Sequence, residues 1–277
     1  MSDKPSGVYV YGLVGGTGAP ALDEERGAVV AATLAPPRLL SCGDLTAIAS
    51  DLIVLGDTAL DAVMQDSRQA EALVLYHHAV LRAFVGEDTV VPFRFGTLFH
   101  DDGAVAGALD RSRDGLLETM RRVNDAIEWG VKVFVSRDRL GRRIEEETSA
   151  IAELKAEMAR AQKGTAFILK RRLQRLIEEE SEQAIVGCLG TITDHLSRRA
   201  RESAQCRLQP AEMHGRDDEM VLHMACLVDR GMELDFFTLI DDLREAYSGF
   251  GFEFDITGPW PPYSFSDCRL EGDEDAA

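Results

Sequence analysis

The stretch Phe250-Gly251-Phe252-Glu253-Phe254-Asp255-Ile256 alternates large apolar residues with glycine and acids. A two-residue period of this kind marks a β-strand with one face buried. Just upstream, Leu234–Tyr247 carries Phe236, Ile240, Leu243 and Tyr247 at three- and four-residue steps, which predicts a helix. Met220–Val228 (MVLHMACLV) reads as a buried strand and Cys206–Leu208 as a short one. Further back lies a mostly helical region with one long helix near Ala166–Arg201, its stripe running Leu169, Leu173, Leu176, Ala184, Cys188, Ile192, Leu196. Val131–Val135 precedes that region as a strand. The order is β-α-β-β-α-β, the ferredoxin-like arrangement, with a first crossover long enough to hold extra helices at about 141–204.

The N-terminal half is also mixed. Val8–Val14 (VYVYGLV) is β-branched and aromatic, a strand that ends in the loop Gly15-Gly16-Thr17-Gly18-Ala19-Pro20. Leu39–Cys42 and Leu45–Asp51 form two strands around a Gly43-Asp44 turn. From Asp57 to Phe84, Val63, Ala70, Leu73, His77, Leu81 and Phe84 supply a helical stripe. Thr89–Phe99 is extended, at an edge or broken at Pro92, and Asp101–Ile127 returns to helix. The fold class is therefore α+β with two domains: 1–127, and 128–277 ending in an acidic tail.

Composition narrows the function. Hydrophobic residues make up 45% of the 277, enough for a real core, and 30 Lys plus Arg stand against 48 Asp plus Glu, a net charge of −18. An acidic body argues against a nucleic-acid partner, which needs a basic face, and against an anionic membrane surface. Met1-Ser2-Asp3-Lys4-Pro5-Ser6-Gly7 has no apolar segment behind its lysine, so no secretory signal is read. The five cysteines are dispersed and never form a C-x-x-C pair, so a disulfide framework or zinc ribbon is not expected. The expectation is a reduced, cytoplasmic protein. The blocks Glu145-Glu146-Glu147 and Glu178-Glu179-Glu180, set among Lys170-Arg171-Arg172 and Arg198-Arg199, read as solvated helix surface with pairs such as Arg175 to Glu179.

Catalytic and cofactor signatures fail one by one. Gly16-x-Gly18-x-x-Ala21 follows a strand, but Pro20 and Asp23-Glu24-Glu25 replace the helix N-terminus that would meet a pyrophosphate. His77 and His78 are helix neighbours about 100° apart, and His77 lies on the apolar stripe, where a packed, hydrogen-bonded histidine is expected. His100-Asp101-Asp102 opens a helix, where acids cap. Cys206, His214, His223 and Cys226 are irregularly spaced, so no metal and no cofactor is expected. There is no G-x-S-x-G elbow. Two stretches remain. In Val91-Pro92-Phe93-Arg94-Phe95-Gly96-Thr97 a cation stands between two aromatics, with a salt bridge as its first expectation. Gly258-Pro259-Trp260-Pro261-Pro262-Tyr263-Ser264-Phe265 is stiffened by prolines. It reads as a strap across its own domain's sheet, a docking surface, or both.

These stretches carry a resemblance. The opening Val8-Tyr9-Val10-Tyr11-Gly12, the central Val91–Phe99 run, Glu128-Trp129-Gly130-Val131-Lys132-Val133 and the Gly258–Phe265 ending are similar, in order, to the motifs of the GvpF/GvpL family of gas vesicle clusters. Phe93 stands where that family often has Leu or Met. Gly164-Thr165-Ala166-Phe167-Ile168-Leu169 departs mildly from its Gly-small-Tyr-Leu helix opening.

The resemblance implies a non-enzymatic, gas vesicle-associated accessory protein. Its implied partners are the hydrophobic shell subunit GvpA and other accessory Gvp proteins, with no cofactor. Arg94, Trp260 and Tyr263 are the interface residues chosen on this basis. The rival reading is a small-ligand regulatory module built on the ferredoxin-like domain; a nicotinamide enzyme using the Gly16–Ala21 loop is a third.

Overall fold

A computed structural model of the chain describes residues 7–16, 28–53 and 65–266. The glycine loop beyond Gly16, the first part of the Asp57–Phe84 helix and the acidic tail lie outside the described residues. Two compact units emerge: the first contains the chain up to Glu128 together with 259–266, and the second spans Trp129–Gly258.

In the first unit, β1 (Val8–Val14) is buried along its whole length, which explains a sequence without polar alternation. It pairs antiparallel with β3 (Leu45–Asp51) in register from Val8↔Asp51 to Val14↔Thr46, with a bulge between Val10 and Gly12. β2 (Arg38–Cys42) closes onto β3 through Gly43, whose φ of 67° suits glycine. The other edge of β1 is shared. β4 (Val90–Pro92) pairs with Gly12–Val14 and β5 (Leu98–Phe99) with Val8 and Tyr9. Gly12 is required here, because a Cβ on it would sit 2.4 Å from the Val91 carbonyl oxygen. The sheet order is β2-β3-β1-β4, with β5 on β1.

The single extended run expected over Thr89–Phe99 is thus two short strands. Between them the chain turns, with Thr97 N–H and Oγ1–H both donating to the Arg94 carbonyl and Gly96 at φ 88°. α1 (Ala28–Thr33) and α2 (Ser67–Arg82) pack together. Leu73, Val80 and Leu81 of α2 join Tyr9, Tyr11, Val14 and Ile48 in one core. The expected Asp101–Ile127 helix is α3 (Asp102–Arg111) and α4 (Arg113–Val123), broken at Ser112. Asp101 caps α3 by accepting from Ala104 N–H at 2.9 Å.

After α4, Asp125 takes φ 56° and β6 begins at Ala126, five residues before the expected strand. β6 (Ala126–Val135) is buried on both faces, so its start carries no period-two signal to separate it from helix. Three helices follow: α5 (Arg137–Glu147), α6 (Ser149–Arg160) and α7 (Lys163–Arg199). Then come β7 (Glu202–Gln205), α8 (Ala211–His214), β8 (Glu219–Asp229), α9 (Glu233–Ser248) and β9 (Phe252–Trp260). β7 sits just before the Cys206–Leu208 position read from sequence. The second sheet has the order β7-β8-β6-β9. Val131, Val133 and Val135 alternate on β6, and Leu222, Met224, Cys226 and Val228 on β8. They pack with Leu169, Ile185, Ile192 and Leu196 of α7 and with Phe236 and Ile240 of α9.

One boundary differs from the sequence reading. The sequence places residues from Pro259 onward in the second domain, but in the structure 259–266 group with the first unit. The reason is chemical: the polar groups of this strap find their hydrogen-bond partners there.

Candidate functional site

Tyr9 of β1 is 5% exposed and points its hydroxyl at His77 Nδ1 of α2, 2.8 Å away. Gly96 N–H, from the turn between β4 and β5, donates to the same hydroxyl at 3.2 Å. The phenol therefore ties that turn to α2. Its pKa is raised, chiefly by burial, so the phenol stays neutral. Burial, reinforced by the neighbouring His78 and only partly opposed by the Phe93 backbone, pushes His77 down to about 4. Its Nε2 is buried without a hydrogen-bond partner among the described residues. Tyr11 stacks edge-on to Tyr9 at 4.9 Å and exchanges a hydrogen bond with Ser50 Oγ at 3.0 Å. Phe95, half-buried, lies 5.8 Å from the His77 ring.

His78 faces another way, as the 100° step dictates. Its Nδ1 meets the Tyr263 hydroxyl at 2.7 Å, and the two rings meet edge to face at 5.1 Å. Burial lowers the His78 pKa. Burial also raises that of Tyr263, with the Glu128 charge adding to it. Glu128, 7% exposed at the start of β6, accepts from Ser264 N–H at 2.8 Å and Ser264 Oγ–H at 2.9 Å. Burial raises its pKa, and those two donors oppose the rise. The strap is completed by buried Phe265 and by Ser266 Oγ–H donating to the Pro262 carbonyl.

One or more residues from each of the four distant stretches singled out in the sequence therefore lie in the first unit. Tyr9 joins Gly96, and Glu128 joins Ser264, with His77 and His78 between the two pairs. Arg94 sits at the tip of the turn, exposed, above buried Phe93. The salt bridge expected for Arg94 does not form: it has no ion-pair partner among the described residues. Trp260 ends β9 half-buried, and Pro261 and Pro262 are buried beside it. Of the three chosen residues, Tyr263 belongs to the cluster, Arg94 crowns its turn and Trp260 begins its strap.

His77 is the packed histidine the stripe predicts. His78 and Glu128 were missed as organisers, because their partners lie 185 and 136 residues away. The available signal was an acid inside an apolar strand. Among the described residues no group of three or more His, Cys, Asp or Glu is placed to hold a metal ion, and no helix is long and apolar enough to cross a membrane. The charged groove between α5 and α7, of about 560 Å³, is lined by Arg137, Arg142, Lys170, Glu145 and Glu178. Its mixed charges do not converge on one ligand chemistry.

Comparison with known proteins is consistent across sequence and fold. Residues 7–267 match the family model described as gas vesicle synthesis protein GvpL/GvpF. Gas vesicle protein L of Streptomyces sp. (strain CB03234) is 30% identical over 239 residues, covering 85% of each chain. Gas vesicle protein F of the same organism is 26% identical over 257 residues, covering 93% of this chain and 98% of the relative. The crystal structure of gas vesicle protein GvpF from Anabaena sp. PCC7120 superposes with a TM-score of 0.62 at 15% identity, covering 95% of this chain and 99% of that one. GvpF from Microcystis aeruginosa gives 0.59 at 16% identity, covering 95% and 100%.

Proposed function

The chain belongs to the GvpL/GvpF family of gas vesicle synthesis proteins, and from that premise we propose that it is a non-enzymatic accessory protein that binds the shell subunit GvpA and assists its assembly. Other accessory Gvp proteins are its further partners, and it works in the cytoplasm at the growing vesicle. A shell that keeps liquid water from a gas space needs a strongly apolar subunit, which aggregates when left exposed. A partner with a net charge of −18 that covers this surface would hold the pair in solution.

The observation that carries the reading is that residues of the family-like stretches, Tyr9, Gly96, Glu128, Tyr263 and Ser264, join the hydrogen-bonded tyrosine–histidine cluster of the first unit. Buried hydrogen bonds there hold a turn and a strap in fixed geometry, and Arg94 stands on that turn without an ion-pair partner among the described residues. Such preorganisation suits a contact surface better than a loose loop would. We assign Arg94, Trp260 and Tyr263 to the contact. We also read Trp129–Gly258 as a ferredoxin-like domain with an inserted helical crossover; the sheet order β7-β8-β6-β9 supports this.

The test is co-expression of the chain with tagged GvpA, without other cluster members. A soluble complex is expected. Arg94→Ala and Trp260→Ala should each lower the captured fraction several-fold while circular dichroism stays unchanged, as for anchor residues truncated to alanine. GvpA in the pellet with this chain alone in the supernatant would overturn direct binding.

A further inference from the structure

Two routes inside the first unit join the β4–β5 turn to the strap, and both pass through the same two residues of α2. One route is made of rings. Phe95 of the turn meets His77 at 5.8 Å, His77 meets His78 at 5.9 Å, and His78 meets Tyr263 of the strap at 5.1 Å. Interplanar angles of 80°, 89° and 75° make each contact edge to face, an arrangement that ring quadrupoles favour. The other route is made of hydrogen bonds. Gly96 N–H donates to the Tyr9 hydroxyl, which is bonded to His77 Nδ1, and the Tyr263 hydroxyl is bonded to His78 Nδ1.

His77 and His78 are consecutive in α2, so a shift of the helix that displaces one imidazole displaces the other. The surroundings leave little slack. His77 is 2% exposed and Tyr9 5%, and in a close-packed interior neither ring is repositioned without its neighbours. At the far end, Glu128 accepts from Ser264 N–H and Oγ–H, so the strap is tied at two adjacent residues.

We propose that the turn and the strap are a coupled pair with His77 and His78 as the link: ordering one orders the other, and freeing one loosens the other. A buried network behaves this way because a member that loses its partner leaves a desolvated group for its neighbours to accommodate. The coupling is reciprocal. A partner that grips the strap therefore stiffens the turn that carries Arg94 before touching it, a cooperativity carried by ordering rather than by a change of shape. This coupling is a property of the first unit alone and does not depend on GvpA binding.

The test is native-state amide exchange on the free, full chain, with urea midpoints separating local opening from global unfolding. Tyr263→Phe keeps the ring and deletes the bond to His78. It should speed exchange at the turn, at Gly96 N–H and at Val10 N–H, which donates to the Thr97 carbonyl at 3.0 Å. The expected factor is about fivefold, the low end of measured couplings between sites. Tyr9→Phe should speed exchange of Ser264 and Phe265 N–H in the strap by a similar factor. Tyr11→Phe is the control: its hydroxyl bonds Ser50 Oγ in the same core but outside both routes, so the strap amides should not respond. His78→Ala cuts both routes and should leave the strap indifferent to Tyr9→Phe. Turn and strap amides that each ignore the other's substitution would overturn the proposal. So would an equal response to Tyr11→Phe, which would mean a general loosening of the core, or an effect of Tyr9→Phe on the strap that survives His78→Ala.

Discussion

The two units bury different chemistry. The first sets Tyr9, Tyr11, His77 and Glu128 among its apolar residues, each ionisable group held neutral or hydrogen-bonded through partners far along the chain. The second fills its core with Val, Leu, Ile and Phe from β6, β8, α7 and α9, and keeps its charges on the surface. An apolar core is forgiving about direction, because dispersion and burial depend on area and fit. A buried polar network is not, since each donor must meet its acceptor or leave a desolvated group behind. The first unit thereby holds a turn and a strap in one geometry, while the second holds its long helix through apolar packing. Positioning and scaffolding are divided between the units.

Substitutions can break this contrast at its strongest point first. Ile192→Ala, at a fully buried position of α7, should cost about 2–5 kcal/mol, read from the urea midpoint. It should leave the Tyr263–His78 contact intact in histidine NMR spectra.

Acid should act in the other direction. His77 has a folded-state pKa of about 4 against an ordinary 6.5, so the unfolded chain takes up the proton first and stability is lost as pH falls from 6.5 towards 4. From pH 7 to pH 5 this amounts to on the order of 2 kcal/mol for the first unit. Glu128 works against it: its raised pKa gives a contribution that is full below the ordinary carboxylate value and fades as pH rises through the folded value. Thermal unfolding of His77→Gln over the same range should show a much flatter profile; an unchanged slope would remove His77 as the cause.

The smallest effect sharpens the comparison most. Tyr263→Phe keeps the ring against His78 and deletes one hydrogen bond, costing about 1 kcal/mol. Its measurable signature is the His78 titration, which should move while the second unit's amide exchange stays as it was.

Period and composition made much of this legible. β1, the β2–β3 hairpin, β8, α9 and the body of α7 follow from apolar spacing, because each has one buried stripe or an unbroken buried run. The start of β6 was not legible: Ala126-Ile127-Glu128-Trp129-Gly130 is buried on alternating and intervening positions alike, and a strand buried on both faces has no period. The break in Thr89–Phe99 was visible only as Pro92, although the turn itself depends on Gly96 and on the Arg94 carbonyl. The roles of Arg94 and Tyr263 were legible only as unusual residue types in stiff or aromatic surroundings. The free state of the first and the bonded state of the second depend on what the fold brings near them.

The sequence by itself determined the α+β class, the strongly acidic charge and the family to which the chain belongs, since these depend on local spacing and residue type. Only the tertiary structure decided that the Pro259–Ser266 strap groups with the first unit, that Glu128 answers Ser264 and that His78 answers Tyr263. The physical reason is range. Propensity and periodicity act over a few residues, whereas a buried hydrogen bond or an ion pair is satisfied by whichever group the folded chain places within reach.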